Sequence, residues 1–508
     1  MEKKVEIISK QLIKPSVCHV ESFNMSALDQ LAPPTYYPIF LYYPNDQEST
    51  NLSTRSLQLK SSLSKILADF YPFAGRLINN NTSISCNNSK DDDFGVLFIE
   101  AFAHNYNLHE ILLSGSKTNT LGQFVPSMDS LLKTHLLIVQ VTVFECGGMI
   151  LGCLVSHKLS DATSICTFIN NWAAAARGAN NSNSLTPDFT SGVKVFPPTK
   201  QPPPLPFANP VGGQEKQIIT KIFSFDGPSI ADLKSKALSK DVPGPTRVEA
   251  VSALIWKCAT VSSKSSTSTS TLSHVVNARK RLVPSLPSGT IGNFLAFFVA
   301  TKSNEGDKND LSNLVTILRK GLLEFPSLNW DVALDQIVEN WNMLGDLISR
   351  NNGTELYNIS SWCGVPFYEA DFGWGKPKWI STMFQHKNSI VLMDAKDGGI
   401  EAWVSLEEWS ASLFMAVSGA NLDFGGKEFW IPYTNTWSSR QKHGSKWSLH
   451  FFREDKLALF TEEIESEHLA LCTLSLCLPK HQLPRPYAPG RAYSCLFREV
   501  LIYSFIKL

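Results

Sequence analysis

Neither sign of charge is in surplus: 46 lysines and arginines face 46 aspartates and glutamates across 508 residues. That balance removes the bulk positive field with which nucleic-acid and anionic-membrane binders attract their targets, while leaving room for a local patch. Cysteine is sparse, ten in all, and the tightest pair, Cys472 and Cys477, lacks the two-residue spacing of zinc and redox motifs. Reduced thiols in a cytoplasmic protein are the expectation. No apolar run approaches the ~20 residues of a membrane span, and the runs at 136–144 and 149–155 are strand-sized. The N-terminus, Met1-Glu2-Lys3-Lys4-Val5-Glu6, mixes charges and lacks the apolar core of a signal peptide. A Gly-x-Ser-x-Gly elbow, a Walker loop, a complete Gly-x-Gly-x-x-Gly and a His-Glu-x-x-His zinc helix are missing. Asp371-Phe372-Gly373 has the letters of the kinase magnesium triplet without its accompanying glycine and catalytic loops. The expectation is a soluble chain with no membrane, nucleic-acid or metal partner.

What is present is a globular profile, 43% hydrophobic and 18% charged, with length for two or three domains at ~100–200 residues each. Leu57, Leu63, Ile66, Leu67 and Phe70 fall at helical intervals in 52–70, and Tyr71-Pro72 stops the helix. Residues 136–156 read as two apolar strands around a Glu145-Cys146-Gly147-Gly148 turn. Ser156-His157-Lys158-Leu159-Ser160-Asp161 follows. Ala162, Ile165, Phe168, Ile169, Trp172 and Ala176 then form one helical stripe, with Asp161 as its natural N-cap. Between 177 and 217 the composition turns to Asn, Ser, Pro and Gly, which predicts a surface connection and a domain boundary. The second half restarts with a strand over Ile218–Phe225, a helix from about Ser229, and a capping box, Thr246-Arg247-Val248-Glu249, opening another helix. A Ser/Thr-rich stretch at 262–273 predicts an exposed loop. Strands and helices mix without regular alternation, which argues for α+β layers. The boundaries that follow are 1–177, a crossover at 178–217, 218–405, and a tail at 406–508.

His157 is the candidate catalytic residue. A histidine between a strand end and a helix start lies at an edge, and its ordinary pKa near ~6.5 lets it accept and return a proton. Alone, His-x-x-x-Asp is weak, and a core or capping histidine is the better reading of it.

Its company is more telling. HKLSD at 157–161 is joined by DFGWG at 371–375, YPFAGRL at 71–77, TRVEAVSALIWK at 246–257, and NARKR at 277–281 followed by Gly292-Asn293. With these ordered motifs the chain resembles the BAHD family of plant coenzyme A-dependent acyltransferases over roughly 5–405. The resemblance implies two similar mixed sheet-and-helix domains of the chloramphenicol acetyltransferase type, with an active-site channel between them, in a monomer. It implies an acyl-CoA co-substrate, no bound cofactor, and a small-molecule alcohol or amine acceptor. Likeness to the alkaloid and terpenoid acetyltransferase branch points to acetyl-CoA and a hydroxyl of a plant specialised metabolite. In the implied mechanism His157 removes the acceptor's proton as it attacks the thioester, and the imidazole then protonates the leaving thiolate.

The resemblance assigns Asp161 a structural role, paired with Arg279, rather than a triad role. Asp371 is sometimes described as catalytic in the family; the turn-like Asp371-Phe372-Gly373-Trp374-Gly375 segment favours a structural role. Coenzyme A needs cations, and Arg279-Lys280-Arg281 or Lys376 and Lys378 are candidates, although clustered surface charge is usually just solvated. The aromatic segment at 362–368 lines an acceptor pocket or belongs to the core, with core the default. Two rival functions stand beside transfer: a catalytically inactive binding or regulatory member, and a hydrolase in which the same base activates water. The family-like pattern fades within 405–418. The tail then reads as an extra small domain, a disordered extension, or translated non-coding sequence from a wrong gene model, and the abruptness favours the last.

Overall fold

Tyr36–Tyr43, Leu137–Phe144 and Met149–Ser156 are apolar almost without alternation, and each is buried along nearly its whole length. Strands with that pattern need cover on both faces, so they sit in the middle of a sheet. In the computed structural model they do. Residues 2–17, 20–45, 52–86, 94–113, 121–126, 135–178, 185–200, 218–263, 269–303, 309–324, 328–349, 354–383 and 386–407 are described, together with backbone strands inside 431–457. The chain divides into two units, Met1–Ala411 and Ser412–Leu508.

The first unit holds two six-stranded sheets. One runs in the order Lys4–Ile13, Val96–His104, Leu137–Phe144, Met149–Ser156, Tyr36–Tyr43 and Trp379–Thr382. The other runs Leu295–Ser303, Thr269–Asn277, Thr354–Ser361, Ser389–Asp394, Ile400–Glu407 and Ile218–Phe225. A common plan lies inside both. Tyr36–Tyr43 pairs antiparallel with Met149–Ser156, which forms a hairpin with Leu137–Phe144, which lies parallel to Val96–His104. Ile218–Phe225, Ile400–Glu407, Ser389–Asp394 and Thr354–Ser361 repeat those senses in the same sequence. In each half the first of these strands leads into a helix, Leu52–Ile66 or Gly227–Lys236. This is the expected α+β architecture of two similar halves.

The later half also lends a strand to the first sheet. Trp379–Thr382, from the later half, adds to the edge of the first sheet beside Tyr36–Tyr43. Thr382 Oγ1 donates to Pro38 O at 2.7 Å, and the Tyr42 and Ser381 hydroxyls meet at 2.9 Å.

Several expectations need correction. Leu57 is 67% exposed and lies off the buried stripe, which runs through Leu59, Leu63, Ile66 and Leu67. The Ser/Thr-rich stretch is not a loop throughout: helix Arg247–Ser262 ends where it begins, and strand Thr269–Asn277 takes up its end. Ser270, Thr271 and Ser273 are buried there; Ser270 Oγ accepts from Trp256 Nε1 at 2.8 Å, and Thr271 Oγ1 meets Thr301 Oγ1 at 3.0 Å. Hydroxyls satisfied in this way sit in a central strand at little cost. The helix expected from Ser229 starts at Gly227, capped by Asp226, whose carboxylate accepts from Ser229 N at 2.8 Å. The described part of the crossover, 185–200, is docked rather than free on the surface. Phe196 is fully buried, its ring 6.0 Å from that of Phe294, and Asp188 exchanges backbone bonds with Gly289 and Ile291. Residues 179–184 and 201–217 of the crossover lie outside the described residues.

Within Ser412–Leu508, Ile431–Pro432, Thr436–His443, Lys446–Arg453 and Lys456–Leu457 form a four-stranded antiparallel sheet. The rest of the tail lies outside the described residues. Among the described residues no helix is long and apolar enough to cross a membrane.

Candidate active site

The strand Met149–Ser156 delivers the site. Ser156 N still pairs with Leu136 O at 2.9 Å, while His157 N turns to Thr35 O at 2.8 Å and Leu159 N closes a turn on Ser156 O at 3.0 Å. The chain therefore leaves the sheet at His157 and re-enters regular structure at Ala162, with Asp161 between as N-cap of helix Ala162–Ala176. Lys158, Ser160 and Asp161 are buried, whereas His157 keeps part of its surface open.

The imidazole is held on one side. Its Nδ1 lies 2.9 Å from Asn293 Oδ1, and Asn293 Nδ2 donates back to His157 O at 2.7 Å. The Tyr37 ring is tilted against it at 5.1 Å between centroids, with the Tyr37 hydroxyl donating to Ser160 O at 3.0 Å. No hydrogen bond among the described residues engages Nε2. Burial among these groups lowers the pKa of His157, and its own backbone carbonyl, the Asn293 side chain and the charge of Asp161 pull it partly back. The ring is thereby kept neutral, as a base must be.

Asp161 is spent elsewhere. Its Oδ2 accepts from Arg279 Nη1 at 2.6 Å and from Phe294 N at 3.1 Å; its Oδ1 accepts from Arg279 Nη2 at 3.2 Å and from Ser164 N at 2.9 Å. Arg279 also donates to Ser164 Oγ, Gly292 O and Thr290 O, and its guanidinium lies 4.7 Å from the Phe294 ring centre. Burial would raise the Asp161 carboxyl, and Arg279 with these amides more than reverses it, so it stays below the usual carboxylate range. This buried, bidentate pair joins the first half to the second four residues along the chain from the histidine and makes no bond to it.

Asp371 lies at the other end of the same helix. Gln58 Nε2 donates to both Phe372 O at 3.0 Å and Ala176 O at 2.8 Å, which ties the loop to the helix C-terminus. Fifteen residues of helix separate that point from Asp161, about 20 Å at 1.5 Å per residue. Asp371 Oδ1 accepts from Gly373 N at 2.8 Å and Gly375 N at 3.0 Å. Both glycines have positive φ, +110° and +99°, so the loop closes on its own aspartate. Phe372 is fully buried against Trp172, and Trp374 stacks on it under the Arg55 guanidinium.

Of the cations proposed for phosphates, Arg279 is 4% exposed and saturated, so it leaves that set. Lys280 is exposed, and Lys376 pairs with Glu369 at 2.6 Å on the surface. Trp362 and Phe367 are core residues that also wall a small pocket with Val365, Tyr368, Ile380, Met393 and Asp394. Trp362 reaches toward the histidine through Tyr37, 6.1 Å ring to ring. No three His, Cys, Asp or Glu side chains among the described residues converge on a metal-sized site.

Sequence reasoning gave no role to Asn293 or to Asp29, which binds it. The signal for Asp29 was local: Ser26-x-x-Asp29 is a capping box, with both reciprocal bonds formed.

A family model described as the transferase family matches residues 3–417. Stemmadenine O-acetyltransferase of Catharanthus roseus is 34% identical over 433 residues, covering 81% of this chain and 96% of the relative. Vinorine synthase of Rauvolfia serpentina is 33% identical over 424 residues, 80% of this chain and 95% of its own. The crystal structure of vinorine synthase superposes with a TM-score of 0.69 at 32% identity, over 81% of this chain and 96% of that one. The F. sporotrichioides TRI101 structure, solved with coenzyme A and T-2, shares the fold at a TM-score of 0.59 and 17% identity, over 78% and 97%. The chain belongs to the BAHD family and is an acyltransferase.

Proposed function

We propose that this chain transfers an acyl group, acetyl in the first instance, from acyl-CoA to a hydroxyl of a small plant specialised metabolite, with His157 as general base. The observation that carries the reading is a partly open, neutral imidazole with one nitrogen tethered and the other unengaged, at the junction of the two halves. A thioester is already activated, so the protein need supply only a base, orientation and charge stabilisation. Nε2 takes the acceptor's proton as its oxygen attacks the thioester carbon. When the tetrahedral intermediate collapses, the same proton passes to the departing thiolate. Asp161 and Arg279 hold the loop on which the base rides, and the 371–375 loop works as a structural clasp. In this reading the domains divide at 178–217, donor and acceptor enter a channel between the halves from opposite sides, and the enzyme works as a cytoplasmic monomer. The acetyl donor and the metabolite class are supported by the named activity of the stemmadenine relative, and coenzyme A by the TRI101 complex.

The test is a screen of purified protein with several acyl-CoAs against a pooled extract of hydroxylated plant metabolites, read as thiol release and acylated product. Acceptor-dependent thiol release that vanishes in His157→Ala supports the reading. Thioester cleavage indifferent to acceptor would replace it with hydrolysis.

A further inference from the structure

We propose that Asn293 and Asp29 are positioning residues that hold the His157 ring in the tautomer with hydrogen on Nδ1, leaving the Nε2 lone pair for the reacting proton. The inference rests on the reading of His157 as the base and adds how the protein selects which nitrogen is basic.

An asparagine amide reads nearly the same either way round, so its orientation follows from its partners. Here both partners of Nδ2 are obligate acceptors: Asp29 Oδ1 at 3.0 Å and the His157 carbonyl at 2.7 Å. Turning the amide over would set its oxygen against a carboxylate and a carbonyl at once and face its NH2 to the ring. Oδ1 therefore faces Nδ1, and only a ring nitrogen bearing hydrogen can satisfy it at 2.9 Å. Hydrogen on Nδ1 means a bare Nε2 in the neutral ring.

The chain of fixation continues one step further. Asp29 is 3% exposed and fully engaged: Oδ1 also accepts from Asn293 N at 2.7 Å, and Oδ2 accepts from Ser26 N at 3.1 Å and Ser26 Oγ at 2.6 Å. Gly292 admits this approach, since its φ is +140° and a Cβ there would come within 3.1 Å of Asp29 Oδ1. A capping box in the first half thus orients an amide from the second, and the amide orients the imidazole. Lys158, whose Nζ donates to Gln30 O at 2.6 Å, and Asp161 are the other charged groups facing this cluster. Neither bonds to the ring, so neither can choose its tautomer; the ring's own backbone carbonyl favours hydrogen on the same Nδ1 that Asn293 engages.

Full-length protein carrying 15N in its histidine rings tests this by two-bond 1H–15N correlation at pH 8, with His157→Gln used to identify the signals of His157. The expected result is a protonated Nδ1 and a bare Nε2 in the unaltered protein. Asn293→Ala should move the ring toward hydrogen on Nε2, lower kcat about 10²-fold or more, and change KM for the acyl-CoA less than about twofold. Asp29→Asn preserves shape but can donate to Asn293, so it should give a mixture; it serves as the second variant if Asn293→Ala fails to fold. Hydrogen on Nε2 in the unaltered protein would overturn the proposal, as would an unchanged tautomer in both folded variants. Absence of turnover with the Nδ1–H tautomer intact would overturn the transferase reading while supporting the tautomer assignment.

Discussion

Asp161 and Asp371 stand at opposite ends of helix Ala162–Ala176, each the aspartate of a motif, and they use their carboxylates differently. Asp161, 1% exposed, reaches out of its own segment to Arg279 and Phe294 in the other half. Asp371 is partly exposed and, among the described residues, accepts only from amides two and four residues downstream. The first carboxylate fastens the halves close to His157, and the second folds a loop whose aromatic residues do the fastening. Neither reaches His157. An aspartate in a signature motif therefore says that a negative charge or a pair of acceptors is needed there, not that it takes part in chemistry.

The comparison breaks if the two motifs prove kinetically alike. His157→Ala should lower kcat ~10²–10⁴-fold, the usual share of a general base, while lowering the thermal midpoint only modestly, by the loss of the partner of the buried Asn293 Oδ1. Steady-state kinetics and a melting curve on the same preparation check it. A comparable kinetic loss in Asp371→Ala without loss of stability would move chemistry to the far end of the helix.

Next in size is the buried pair. Arg279→Ala leaves Asp161 charged, desolvated and unpaired, which costs about 3–5 kcal/mol and should appear as a lowered urea midpoint at unchanged slope. Replacing both with apolar residues of similar volume should recover much of that loss. If Arg279→Ala costs no more than a surface substitution, the junction is not held in the way described.

Asp371→Ala should cost less, about 1 kcal/mol for two bonds to a partly exposed acceptor, and Asp371→Asn, which retains Oδ1, should cost less again. Turnover by the folded fraction should be unaltered in both. That result would sharpen the contrast, since the loop would then matter through Phe372 rather than through its charge.

How much of this was legible in the sequence follows from the range of each interaction. The hairpin at 137–156, the Asp161 cap and the Thr246–Glu249 box depend on neighbours within a few residues, and the residues announce them. The passage of Trp379–Thr382 into the first sheet depends on pairing more than 300 residues away, for which no local pattern exists. Thr269–Asn277 was hidden for a different reason: hydroxyl-rich strands look like loops until their partners, Trp256 and Thr301, are known. In the site, His157 stood out by motif and Asn293 within the Gly292-Asn293 pair, but the role of Asn293 arises only where it meets Asp29, 264 positions away.

Acidification separates the histidine from the aspartate below it. Burial places His157 below its ordinary pKa near ~6.5, so the acid limb of kcat/KM should fall below that value, with the protein still folded. The linkage runs the same way for stability: the unfolded chain takes the proton first, so His157 costs stability as pH falls below ~6.5. Asp29, raised to about 6, works in the opposite sense, because the folded state binds its proton first and gains stability on acidification through that range. Asp161, depressed by Arg279, contributes stability that is full above the ordinary carboxylate pKa and is lost progressively as pH falls from there through its lowered value. In Arg279→Ala the sign at Asp161 reverses, since an unpaired buried carboxyl prefers its proton. The stability gap between the unaltered protein and Arg279→Ala should therefore be widest near neutrality and narrow steadily toward pH 4 in urea titrations.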